Sequence, residues 1–183
     1  MAIAGKHIWN KKTRQQIKFL QTSKDTNGAF LEMLTVYPPQ SNEPPPHYHP
    51  EQDEYFEVTK GQLTIRLGNE LKYLTTGEKL HIAKGQAHSM WNTTNEETEV
   101  NWKVMPAMTT EYFLETLTGL ANDNKTDASG VPSILQISLT ANKYNQVFRL
   151  AKPSYAVQRI VFTLCSPIAF LLGYRPDYDD YLN

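Results

Sequence analysis

The chain has 183 residues, enough for one well-buried core and a small appendage, and its hydrophobic fraction of 40% and charged fraction of 20% are ordinary for a globular protein. A net charge of -1 supplies neither a basic field for nucleic acid nor a polybasic patch for a membrane, so no nucleic-acid partner is expected. The single cysteine, Cys165, excludes an internal disulfide framework, and the apolar stretch within Met1–Asn10 is too short for a signal peptide, so a cytoplasmic protein is the expectation.

Up to Pro106 the chain reads as short apolar runs divided by Gly, Asn and Pro, the pattern of half-buried strands and turns. Ile17 and Phe19 alternate with polar neighbours, Asn27-Gly28 is a turn signal, and the apolar run Ala29 to Tyr37 follows. Leu63, Ile65 and Leu67 share one face of a further run that Gly68-Asn69 ends. His88, Met90 and Asn92 share a face of another, and Val100, Trp102 and Val104 of the last. Many short strands at regular spacing predict a barrel or sandwich.

After Pro106 the period becomes helical, which divides the chain into residues 1–106, a β domain, and residues 107–183, a helical extension packed on it or on a partner subunit. Tyr112, Phe113, Thr116, Leu117 and Leu120 mark a first helix that stops at the polar loop Asn122 to Gly130. Pro132 is placed to open a second, with an apolar stripe of Ile134, Ile137, Ala141, Tyr144 and Phe148. Pro153 opens a third, which contains the uncharged segment Ile160 to Leu172 and is stopped by Gly173. At about 13 residues that segment is shorter than the ~20 that span a bilayer, and Pro167 interrupts it. It reads as a buried helix, with an interfacial membrane helix or a partner-binding surface as the alternative.

The chemistry concentrates in Pro44-Pro-Pro-His-Tyr-His-Pro-Glu-Gln-Asp-Glu54. His47 and His49 stand two apart, so on the extended backbone that the prolines favour their imidazoles point the same way. Glu54, Phe56 and Val58 alternate inward along the next strand, and His88 opens a later one that can run alongside. Asp53 would ligate only if that strand slipped by one residue, which the pleat disfavours. His47, His49, Glu54 and His88 therefore make a candidate site for one divalent transition metal. Three imidazole nitrogens and a carboxylate oxygen suit Fe, Mn, Ni, Co, Cu or Zn better than Mg or Ca.

These segments resemble the two signature motifs of the cupin superfamily. The first runs Gly, five residues, His-x-His, three or four residues, Glu, six residues, Gly. His47, His49, Glu54 and Gly61 match it, with Ser41 where the leading Gly would stand. The second runs Gly, five residues, Pro-x-Gly, two residues, His, three residues, Asn. Gly77, Gly85, His88 and Asn92 match, and Ala83 replaces the Pro. The resemblance covers about Leu31 to Val104. It implies an all-β cupin jelly-roll β-barrel, here with a C-terminal α-helical extension, and a homodimer. It also implies that Glu54 serves as both ligand and proton acceptor.

Fold does not decide among the activities such barrels host. A metal-dependent enzyme of dioxygenase type acting on a small organic molecule is the leading expectation, with Phe56, Val58, Ile65 and Met90 as an apolar inner wall. An isomerase or epimerase is a variant that needs a general base, for which Glu57 and His81 are the only candidates. A non-catalytic binding module responsive to a metabolite or metal is the reading from another class. In a third, the helices and the Ile160 to Leu172 segment serve assembly or a membrane surface.

Overall fold

The computed structural model describes residues 2–182. Eleven strands form two antiparallel sheets among the described residues. One has six strands in the order β1 (His7–Trp9), β2 (Gln16–Gln21), β3 (Leu31–Tyr37), β10 (Thr98–Met105), β5 (Asp53–Lys60) and β8 (Lys79–Ile82). The other has five, ordered β11 (Arg149–Leu150), β4 (His47–Tyr48), β9 (His88–Trp91), β6 (Gln62–Leu67) and β7 (Glu70–Thr75). This is the β-rich jelly-roll class expected. The sheets are not joined by a continuous ladder, so the closed barrel of the expectation is better described as a two-sheet sandwich.

The alternation legible in the sequence decides which faces turn inward. Leu31, Met33, Thr35 and Tyr37 are buried along β3 with half-buried residues between them, and Glu54, Phe56 and Val58 are the buried set of β5. Phe56, Val58, Leu63, Ile65, Met90 and Val100 fuse into one apolar cluster between the sheets. A second cluster around Phe19, Leu31, Met33 and Val104 fills the end nearer the helices. Each side chain of this kind contributes about 1.5–3 kcal/mol by leaving water. The chain crosses from one sheet to the other at Gly61, where φ is +80°. A Cβ there would stand 2.8 Å from the Glu97 carbonyl oxygen, so the corner requires glycine on two counts.

Three helices follow, α1 (Thr110–Asn122), α2 (Ile134–Lys143) and α3 (Tyr155–Leu171), and then a 3-10 turn, Asp179–Tyr181. α1 buries Phe113 and Leu120 together with two carboxylates that fasten it to the N-terminal strands. Glu115 accepts from Lys6 Nζ at 2.6 Å, and Glu111 accepts from the Ser23 amide and hydroxyl at 2.9 and 2.7 Å. The Tyr181 ring lies over Gly119, within 2.2 Å of where a Cβ would be. α2 starts where Pro132 predicts, with Ser133 as its capping residue, but ends at Lys143. The expected five-residue stripe is therefore cut short: Ile134 is 54% exposed, and Tyr144 and Phe148 belong to the turn that leads into β11.

α3 differs from the expectation more sharply. It buries only Gln158, Phe162 and Ala169 fully, while Ile160, Leu164, Ile168, Leu171 and Leu172 stand in the open. The uncharged segment is apolar on two faces, and only one finds a place against α2. No helix among the described residues is long and apolar enough to cross a membrane.

Candidate metal centre

The segment before the first two histidines is held in front of the five-stranded sheet by Glu43. Its carboxylate takes a forked pair of bonds from Arg66, at 2.6 Å from Nε and 2.9 Å from Nη2, and a third from the Ser89 hydroxyl at 2.6 Å. The Arg66 hydrogen bonds hold that carboxyl below its usual range. From this anchor Pro44 to Pro46 run extended into β4, where His47 pairs with His88 of β9 on one side and with Leu150 of β11 on the other. His49 lies just past β4, its carbonyl accepting from the Gly85 amide at 2.8 Å. Glu54 arrives from the opposite sheet on β5.

The result is that one ring nitrogen from each of His47, His49 and His88 lies within 4.8 Å of the others. Glu54 completes the group: its Oε1 is 3.3 Å from His49 Nε2 and its Oε2 is 3.1 Å from His88 Nε2. The other ring nitrogens explain how two of the imidazoles are aimed. Nδ1 of His88 donates to the Gln86 carbonyl at 3.0 Å, and Nδ1 of His47 to the Pro45 carbonyl at 3.3 Å, so each turns its Nε2 lone pair away from the backbone. Both nitrogens of His49 and Nε2 of His88 are buried without an aligned hydrogen-bond partner. Buried polar atoms left in that state are costly, and a shared cation would satisfy His88 Nε2 and one nitrogen of His49 together. The donor set thus fits a divalent transition metal.

Charge is arranged accordingly. Burial, followed by repulsion from the neighbouring rings, holds His47 well below the ordinary imidazole range, and burial likewise lowers His49. Burial works against a charge on His88 too, yet the Glu54 carboxylate 3.1 Å away outweighs it and leaves that ring raised. Burial alone would raise Glu54, but the three imidazoles prevail and bring it to about 2. At neutral pH Glu54 is therefore ionised and His47 and His49 are neutral, and of the three rings His88 takes up a proton most readily.

Sequence reasoning missed three supports. Trp102 stacks on Phe56 at a centroid distance of 5.9 Å and donates its indole N–H to Glu54 Oε1 at 3.0 Å. Alternation along β10 signals that Trp102 turns inward but not that its nitrogen reaches a carboxylate. Gln52, between His49 and Glu54, donates to the Pro106 and Ala107 carbonyls and to Thr110 Oγ1 at 2.7, 3.1 and 2.8 Å, which ties the loop to the start of α1. Phe148 covers the centre, stacked on His47 at 4.9 Å and packed against Phe113 at 4.8 Å. No sequence signal points to Gln52 or to this use of Phe148.

Other candidates fall outside the centre. Asp53 turns to the outer surface, where it is 2.9 Å from His81, and His81 stacks on Tyr55. Glu57 pairs with Lys79 at 2.9 Å on the same outer surface. Neither of the two residues considered as a general base faces the cluster. Asn92 is structural, its amide bonding the Tyr37 and Glu96 carbonyls and accepting from Thr94. Ser41, in place of a motif glycine, exchanges bonds with Asn92 at 2.8 and 2.9 Å, which holds the ends of the two motifs together.

Residues 33–104 match the family model described as a cupin domain. A 58-residue stretch is 36% identical to an oxidoreductase of Arthrobotrys oligospora and covers 31% of this chain but only 22% of that protein. A stretch of 105 residues is 28% identical to the tetracenomycin polyketide synthase protein TcmJ of Streptomyces glaucescens and covers 57% of this chain and 68% of TcmJ. Among solved structures, a predicted oxalate decarboxylase from Thermotoga maritima superimposes with a TM-score of 0.49 and 19% identity over 58% of this chain and 99% of its own. A sugar phosphate isomerase of the cupin superfamily from Silicibacter pomeroyi gives 0.48 and 19% over 55% and 70%. The family model spans β3 to β10 with both motifs inside it, so residues 33–104 of the chain form a cupin domain.

Proposed function

We propose that the protein is a metal-dependent enzyme of dioxygenase type, acting on a small, largely apolar organic molecule, with His47, His49, His88 and Glu54 as ligands of one divalent transition metal. The observation that carries the reading is the convergence of three imidazoles within 4.8 Å around a carboxylate 1% exposed, beneath an aromatic roof. The metal, when bound, would supply Lewis acidity toward an enolate or hydroxyl oxygen and, for a redox-active ion, electrons for dioxygen chemistry.

The chain's own residues do the rest. The His47 and His88 rings are oriented by backbone carbonyls, so little reorganisation accompanies binding. Glu54 is held by Trp102 on one oxygen, which leaves its other oxygen, next to His88, as the place to accept a substrate proton. Phe148, with Phe113 and Val147 behind it, excludes water from above. Phe56, Val58, Ile65 and Met90 keep the space between the sheets apolar. The similarity to a fungal oxidoreductase agrees with redox chemistry but spans only a short stretch of that protein.

The test pairs metal content, by mass spectrometry, with substrate-dependent dioxygen uptake. A near-stoichiometric redox metal that is lost in His47→Ala/His88→Ala, together with uptake on a screened substrate, would bear out the proposal. A bound metal without uptake on any substrate would point instead to a binding module responsive to metal or metabolite. No metal after anaerobic incubation with Fe, Mn, Ni and Zn salts would sink the assignment of ligands.

A further inference from the structure

α3 carries two apolar stripes. The inner one, Phe162 and Ala169 with Gln158, packs on α2, and Gln158 donates to the Leu150 and Pro153 carbonyls at 2.8 and 2.7 Å. The outer one repeats every three or four residues: Val157, Ile160, Leu164, Ile168 and Leu171 are 45, 63, 68, 55 and 86% exposed. Leu172 extends it at 64%, while Phe170, 56% exposed, lies to one side under the Arg175 guanidinium, 4.3 Å from its ring. A continuous, unpartnered stripe of this kind along 17 residues, about 25 Å of helix, is not an ordinary solvent face.

The charges around it say what covers it. From Arg149 to Pro176 the chain contains Arg149, Lys152, Arg159 and Arg175 and no aspartate or glutamate. None of the four is in an ion pair with a described acidic side chain. Lys152 and Arg175 sit just beyond the two ends of α3, and Arg159 flanks the stripe. The acidic residues that follow belong to a segment leading elsewhere: Asp177 pairs with Lys143, and Tyr181 seats the 3-10 turn on α1 at Gly119. Packing two copies stripe against stripe would bring like charges together, whereas an anionic surface is complementary to all four.

We propose that the outer face of α3 is a membrane-docking surface, with the helix lying in the plane of an anionic bilayer rather than crossing it. Leu164, Ile168 and Leu171 enter the acyl boundary while Lys152, Arg159 and Arg175 meet the phosphates. The surface adjoins the candidate metal centre through β11 and Phe148 but is independent of any activity there.

Cosedimentation of the full chain with phosphatidylcholine–phosphatidylglycerol vesicles, against pure phosphatidylcholine, tests it. Binding to the mixed vesicles that high salt weakens is expected. Leu164→Gln/Leu171→Gln, at positions that touch little of the fold, should cut the partition at least tenfold without changing the melting temperature. Arg159→Gln/Arg175→Gln should reduce it by roughly 25-fold, since each cation is worth roughly fivefold at an anionic surface. Equal partition into neutral and anionic vesicles, or a leucine variant that binds as the parent does, would overturn the proposal. So would a parent chain that ignores vesicles yet sediments as a dimer which Leu164→Gln/Leu171→Gln dissociates; a second copy would then cover the face.

Discussion

Replacing Trp102 by Phe isolates one bond at the candidate metal centre. The benzene ring of the variant can keep a stack on Phe56, whose centroid is 5.9 Å from Trp102 in the parent, and only the indole donor 3.0 Å from Glu54 Oε1 is lost. Glu54 then retains two neighbours, His49 at 3.3 Å and His88 at 3.1 Å, and both sit on the side where a metal would bind. A hydrogen bond to a charged acceptor contributes about 1.5–3 kcal/mol, which is roughly tenfold to a hundredfold in affinity. Partners that orient metal ligands cost a similar 10–100-fold, roughly, when removed. Metal affinity measured by competition with a chelator should fall by that range in Trp102→Phe, while the affinity of Trp9→Phe, at an exposed ring far from the centre, stays at the parent value. Parental affinity in Trp102→Phe, with a normally folded protein, would refute the idea that the indole positions the carboxylate.

The remaining expectations share the same geometry. Phe148→Ala should lower stability by about 2 kcal/mol for a half-buried aromatic and speed metal release to a chelator in stopped flow, because it uncovers His47. Metal binding in mildly acidic buffer should release protons, seen as a buffer-dependent enthalpy in calorimetry. Their main source is His88, whose affinity for a proton is raised while that of His47 and His49 is lowered, so metal affinity falls as the solution is acidified. Glu43→Gln should loosen the approach to His47 and cost about 1–2 kcal/mol, a forked but partly exposed pair being worth less than a buried one; urea unfolding measures it. The Glu43 contribution, present above the unfolded carboxyl value near 4.5, is lost as pH drops through its lowered folded value.

Residues with regular spacing and a reason to alternate were legible in the sequence: Ile17 and Phe19, the inward set of β3, and above all His47, His49, Glu54 and His88. Strand period and motif spacing constrain these positions from neighbours within a dozen residues. What escaped depends on partners far along the chain. β11 is two residues long and has no period to detect. Gln52 reaches residues 106 to 110, and the Trp102 nitrogen finds Glu54 across a strand pair. α3 misled for a different reason, since a helix apolar on two faces reads as buried whether or not a second surface exists to bury it.

The pairing of Leu150 with His47 also bears on the order of events during synthesis. That contact closes a loop of about 100 residues, an entropic cost of about 4 kcal/mol by the logarithmic rule, and its C-terminal half is made late. All four candidate ligands lie within the first 88 residues. As a chain emerging N-terminus first folds by units, they can meet before Phe148 exists to cover them. The centre is thus open to an incoming ion during translation and becomes sheltered once the last strand is laid down.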